Sequence, residues 1–171
     1  AYSPVSHLGP LVLAFPLLTP GAAVLGAVTL QAIAHGLAKA AMFAAAGIII
    51  HSTGRDAVAE VAGVAERLPL TLFAFALAGV SLMGLPPSGG FLAKWLLLDA
   101  ALNAGYWALV AVIVAGGLLA AIYVFRVVRQ AFLNLPEELA DRQKHTGRPV
   151  PRVVEWMAFG LAAASVLLGL F

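Results

Sequence analysis

A chain of 171 residues that is 62% hydrophobic and 11% charged, with a mean hydropathy of +0.98, is too apolar for a soluble domain, whose apolar share is about 45–50%. It reads as all-α, a polytopic transmembrane helix bundle of about five spans with one of them discontinuous. The lack of cysteine excludes iron–sulfur clusters, disulfides and thiol catalysis, and four histidines without an HExxH-type cluster lead us to expect no metal and no other cofactor.

The net charge of +2 and the isoelectric point near 9.3 do not point to nucleic acid, because the basic residues gather in membrane-flanking loops without interleaved aromatics. The chain opens on Ala1 within an apolar pattern. That opening suggests a longer protein whose preceding part lies outside these residues.

Residues 5–18 are apolar apart from His7 and read as the trailing part of a span, and Thr19, Pro20 and Gly21 form a turn. Residues 22–50 make a second span, roughly 43 Å long at about 1.5 Å per residue. Residues 51–69 mix Arg55, Asp56, Glu60, Glu66 and Arg67 with valine and alanine, and are expected to form a short interfacial helix ended by Pro69.

The most informative stretch is 71–101, a membrane-length apolar run broken in its middle. Pro86 and Pro87 lack amide donors, and Gly84, Gly89 and Gly90 supply flexible backbone, so the run is expected to be two half-helices joined by unwound chain over 84–90. Unpaired backbone at membrane depth is tolerated only inside protein or along a wet cavity, and such breaks mark ion and substrate sites. Lys94 follows the break at once. A lysine at the bilayer centre costs about 2.5–3.5 kcal/mol on insertion scales, and its neighbourhood of broken helix favours a cavity over snorkelling to the surface.

Asn103, Ala104 and Gly105 turn the chain into a fourth span over 106–133, where Gly116/Ala120 and Gly117/Ala121 allow close helix packing. Residues 134–152 form the longest polar loop and 153–171 a fifth span. Alternation puts loops 51–69 and 134–152 on one side with Arg55, Arg67, Arg142, Lys144, Arg148 and Arg152, and with Arg126 and Arg129 close by. The turns at 19–21 and 103–105 carry no Lys or Arg, so the basic side is expected to be cytoplasmic.

Gln31, His35 and Lys39 are spaced by four and form one stripe about 12 Å tall on the second span, which Gly47 and His51 are expected to extend. A lysine held away from water and a histidine can both exchange protons near neutral pH, which makes the stripe a candidate proton relay, with a hydrogen-bond patch between helices as the alternative. His7 is either a relay group or a structural donor. Asp99 falls five residues after Lys94, off its face, and is expected to be an interfacial or subunit-contact carboxylate, while Glu155 opens the fifth span and is expected to be interfacial. A haem anchor using His7 and His35 would call for a second regularly spaced histidine pair, which the sequence lacks.

The segments AYSPVSHLG, QAIAHGLAKAAMFAAAGIII, GVAERLP and above all SLMGLPPSGGFLAKWLLL resemble the C-terminal half of the antiporter-like proton-translocating subunits of respiratory complex I, multisubunit sodium/proton antiporters and membrane-bound hydrogenases. The resemblance implies that 1–133 is most of the second of two inverted five-helix repeats, 134–152 a cytoplasmic loop and 153–171 the final helix. It implies that Lys39 is the central lysine of the hydrated axis, His35 the histidine one turn before it, and Lys94 the broken-helix residue at the outward proton exit. His7 falls in a segment where relay residues occur in some members. Gln31 stands where one branch has another histidine, and Lys94 where a different branch has glutamate.

The implied function is proton translocation within a complex whose redox chemistry lies in other chains. The implied cargo is H+, with Na+ as the alternative, and the implied partners are other membrane subunits and the lipid bilayer, in a bacterial cytoplasmic membrane. A non-conducting scaffold subunit is the rival expectation.

Overall fold

The structure is a computed structural model that describes residues 22–54, 61–133 and 149–170. His7, the span over 5–18, the turn at 19–21 and most of loop 134–152 lie outside the described residues. Six helices follow in order among those described: α1 Ala22–Thr53, α2 Val64–Arg67, α3 Pro69–Met83, α4 Gly89–Asn103, α5 Trp107–Ala131 and α6 Arg152–Leu167. Two helices are long and apolar enough to cross a membrane by themselves, at Val24–Thr53 and Trp107–Ala131, and α3 is a shorter apolar helix.

Alanine sets how closely the bundle packs. Ala34, Ala38, Ala41 and Ala45 line one face of α1 and are fully buried, as are Ala74 and Ala78 on α3 and Ala158 and Ala162 on α6. Side chains this small let backbones approach, which is the usual source of helix association where lipid removes the hydrophobic drive. The three helices therefore pack against one another, with α4 against α1, and with α5 against α3 and α4. Gly79 extends the same logic to α5: a Cβ there would lie 2.6 Å from Val124 Cγ1. The rest of α5 is different, for Leu118, Leu119, Ile122 and Phe125 are exposed. A helix apolar on every face belongs in lipid or against another apolar protein surface.

Two contacts gather one end of the bundle. Gly63 N donates to Leu133 O at 3.0 Å, joining the segment before α2 to the end of α5. Thr71 Oγ1, fully buried at the start of α3, donates to Glu155 Oε2 at 2.8 Å in the first turn of α6. Glu155, read from sequence as interfacial, thus accepts a bond between helices far apart in the chain. Thr71→Val is expected to cost about 1 kcal/mol and lower the unfolding temperature of the purified subunit. A melting curve that overlays the parent's would show that the bond contributes nothing.

Three expectations change in detail. The second span does not stop at residue 50 but runs to Thr53, and the interfacial helix shrinks to the single turn Val64–Arg67 among the described residues. Pro69 opens α3 as its first residue, where a missing amide donor costs nothing. The fifth span is helical only to Leu167, because Gly169 leaves the helix to pack on the backbone of Pro87 and Ser88.

Candidate functional site

The break in the 71–101 run is real and shorter than its sequence suggests. Gly84 closes α3 at φ 80°, and its amide donates to Ser81 O at 3.2 Å while Leu85 N donates to Val80 O at 3.1 Å. Those paired bonds are the usual termination by a left-handed glycine. Ser88 then caps α4: its Oγ accepts from Phe91 N at 3.1 Å and donates to Leu85 O at 2.7 Å. The Pro86–Pro87 peptide is cis. The unwound link is therefore 84–88. Gly89 and Gly90, expected in the link, are the first two residues of α4.

Their lack of a side chain serves packing. A Cβ on Gly90 would fall onto the Ser81 carbonyl oxygen, and one on Gly89 would lie 2.8 Å from Leu168 Cβ and 3.2 Å from Ala34 Cβ. Ser81, Ser88 and Ser165 are all buried around this crossing, with Ser165 Oγ bonded to Ala162 O at 2.8 Å. The Ser88 end of the link, with Gly89 and Gly90, is thus packed against α1, α3 and the end of α6, whereas Leu85, Pro86 and Pro87 are exposed among the described residues.

Helix α3 leaves carbonyls exposed at its C-terminal end, and each has a neighbour to account for. Val80 O and Ser81 O are taken by the glycine cap. Leu82 O accepts from Lys94 Nζ at 2.5 Å. The Lys94 ammonium therefore sits at the negative end of the first half-helix dipole, where a cation is favoured. Met83 O faces α5 at Gly117, a Cβ on which would lie 3.0 Å away.

The candidate residues from two distant stretches meet in one space. A cavity of about 480 Å³ is lined by Gln31, His35 and Lys39 of α1, Lys94 of α4 and Tyr123 of α5. Gln31 is only 6% exposed, and its Oε1 has no hydrogen-bond partner among the described residues. His35, Lys39 and Lys94 are half-buried. Lys39 Nζ stands 5.9 Å from the centre of the Phe43 ring, within the range of a cation–π contact. Lys94 also borders a second cavity of about 450 Å³ among Phe91, Trp95, Ile113, Leu118 and Phe125.

Gly47 and His51 do not line the first cavity and are exposed, so the polar stripe ends at Lys39. Asp99 is exposed and accepts from Asn103 Nδ2 at 3.3 Å, away from Lys94. Tyr123 is the group that sequence reasoning missed. Its ring packs on Phe75 at 6.4 Å, and a phenol in an aromatic-rich apolar helix gives no periodic signal of its own. No group of three or more His, Cys, Asp or Glu that could hold a metal occurs among the described residues.

Comparison with known proteins identifies the family. The family described as NADH:quinone oxidoreductase/Mrp antiporter, transmembrane, matches residues 1–120. NADH-quinone oxidoreductase subunit N of Desulforudis audaxviator is 40% identical over 152 residues, covering 88% of this chain and 29% of that protein. Subunit N of Cereibacter sphaeroides is 34% identical over 167 residues, covering 98% of this chain and 34% of that protein. Among solved structures, a chain of the Mrp complex from Dietzia sp. superposes with a TM-score of 0.75 at 27% identity, covering 88% of this chain and 35% of that one. The chain thus spans about a third of the length of these relatives. It belongs to the NADH:quinone oxidoreductase/Mrp antiporter family of integral membrane subunits.

Proposed function

We propose that this chain carries part of a proton path across the membrane within a complex I-type or Mrp-type assembly, as a subunit beside other membrane subunits. The observation that carries the reading is the shared cavity, which brings Lys39 of α1 and Lys94 of α4 together with Gln31, His35 and Tyr123. A water occupies about 30 Å³ of liquid, so a space of this size has room for several, and although most of its lining is apolar the unpaired Gln31 Oε1 offers one an anchor. Protons pass between Lys39 and Lys94 through His35 and that water, each transfer changing the field at the next group. His7 belongs to the same path in this reading. The driving reaction is supplied by other chains, and the 134–152 loop faces the cytoplasm of a bacterium.

Sodium is the alternative cargo, which rests on the resemblance to subunits of multisubunit sodium/proton antiporters. The cavity argues against it, since its polar lining of two lysines, a histidine, an amide and a phenol offers no carboxylate to replace a cation's hydration shell. The test is proton uptake by proteoliposomes holding the full-length subunit in its assembled complex, with Lys39→Ala compared with the parent in sodium and in choline buffer. Lys39→Ala is expected to reduce uptake to the passive leak in both buffers. Parental uptake by Lys39→Ala would favour a non-conducting scaffold, and uptake that vanishes in choline would favour sodium.

A further inference from the structure

Lys94 passes between two glycines on the way to its acceptor. On one side a Cβ at Gly84 would lie 2.7 Å from Lys94 Cδ and 3.3 Å from its Nζ. On the other, a Cβ at Gly117 would lie 3.0 Å from Met83 O and 3.8 Å from Lys94 Nζ. The stem thus runs along the bare backbone that ends α3, and the ammonium comes to rest on Leu82 O beneath the bare backbone of α5. Lys94 and Ile113 line both the cavity of Gln31, His35 and Lys39 and the cavity of Phe91 and Trp95, and Lys94 is the ionisable one of the two. Where its ammonium rests therefore decides which space it serves.

We infer that Gly84 and Gly117 are positioning residues for Lys94, forming a slot without side chains that keeps its ammonium on the Leu82 carbonyl at the boundary between the two cavities. This rests on the proton-path reading and adds to it how one of the two lysines is held.

Position here is an electrostatic variable. The Leu82 carbonyl lies in the last turn of α3, whose C-terminal end favours a cation, and the effect falls off within a turn. The other groups that Lys94 meets differ in sign and kind. From α1 come His35 and Lys39, and from α5 the Tyr123 phenol; α3 carries no ionisable side chain, Asp99 on its own helix is exposed, and on α6 Glu155 is bonded to Thr71 while Arg152 is exposed. With a histidine and a lysine on the α1 side of the cavity, the Leu82 carbonyl is the acceptor that holds the Lys94 ammonium. A methyl on Gly117 pushes against Met83 O, the carbonyl next to that acceptor, and covers the ammonium with hydrocarbon.

The experiment measures proton transport against pH in proteoliposomes of the assembled complex for Gly117→Ala, Gly84→Asn, Gly160→Ala and Lys94→Ala at equal assembly. Asparagine tolerates the left-handed backbone that Gly84 adopts, so Gly84→Asn presses on Lys94 from the opposite wall while keeping the turn, and it stands in if Gly117→Ala does not assemble. Gly160, with nothing among the described residues within 4 Å of an added Cβ, controls for the gain in helix propensity. The expected result is transport lowered about tenfold in each slot variant, as misplacing a reacting group does, with the pH profile displaced by about half a unit or more and Gly160→Ala unchanged.

Slot variants with the parental rate and profile, or with a lower rate on an unmoved profile, would overturn the slot alone, provided Lys94→Ala is inactive. If Lys94→Ala itself transports normally, the proton-path reading falls and the slot with it.

Discussion

Replacing Gly90 with alanine is expected to prevent the subunit from assembling. The added Cβ has nowhere to go, because the atom it meets is the Ser81 carbonyl oxygen, part of the backbone of α3, with the Ser81 Oγ only 3.1 Å away. A flexible side chain could swing aside at little cost, but a carbonyl in a helix can retreat only if the helix does. Overpacking of ordinary cores costs about 1–3 kcal/mol, and a backbone collision at a crossing of buried helices belongs above that range. Gly169→Ala is expected to behave alike, since its Cβ would strike the backbone of Pro87 and Ser88. Gly26→Ala gives the contrast: nothing among the described residues lies within 4 Å, and the exchange gains up to about 1 kcal/mol of helix propensity. Gel mobility and thermal unfolding of the complex report the outcome. A Gly90→Ala complex that assembles and melts like the parent would mean that α3 and α4 do not cross here.

Lys94→Ala is expected to have two separable effects. The first is on stability: Leu82 O loses its donor inside the protein, at a cost of about 1–3 kcal/mol. The second is on transport, which should fall to the leak, because the cavity then retains His35 and Lys39 on α1 and no ionisable side chain on α4. Lys94→Gln separates them, since an amide can still donate to Leu82 O but does not take up a proton to become charged. Its complex should melt closer to the parent than Lys94→Ala and transport no better. A glutamine variant that pumps would remove Lys94 from the path.

How far the sequence carried this account depends on the range of the forces involved. The break at Gly84, Pro86 and Pro87 was legible because a missing amide donor and a left-handed turn are local facts. The extent of the break was not, because Gly89 and Gly90 answer to the approach of Ser81, Ala34 and Leu168 from other helices. The stripe of Gln31, His35 and Lys39 follows from helical geometry over two turns. Extending it to Gly47 and His51 ignored that each step of four overshoots a full turn by about 40°, so five steps carry the face to the far side of α1.

Lys94 advertised itself by its charge in an apolar run. Tyr123 and the Thr71–Glu155 bond depend on which helices touch, which no periodicity records. The family resemblance supplied the order of the lysine segments, and the packing of α1, α4 and α5 adds the space that joins them.

The claim at the centre is that Lys39 and Lys94 act in series through one cavity. The measurement is the initial rate of proton uptake by proteoliposomes of the assembled complex for the parent, Lys39→Ala, Lys94→Ala and the double variant. Groups in series give three variants with the same residual rate, because breaking a path twice costs no more than breaking it once. Single variants that each retain substantial uptake, with losses that multiply in the double variant, would contradict the account and assign the two lysines to separate routes.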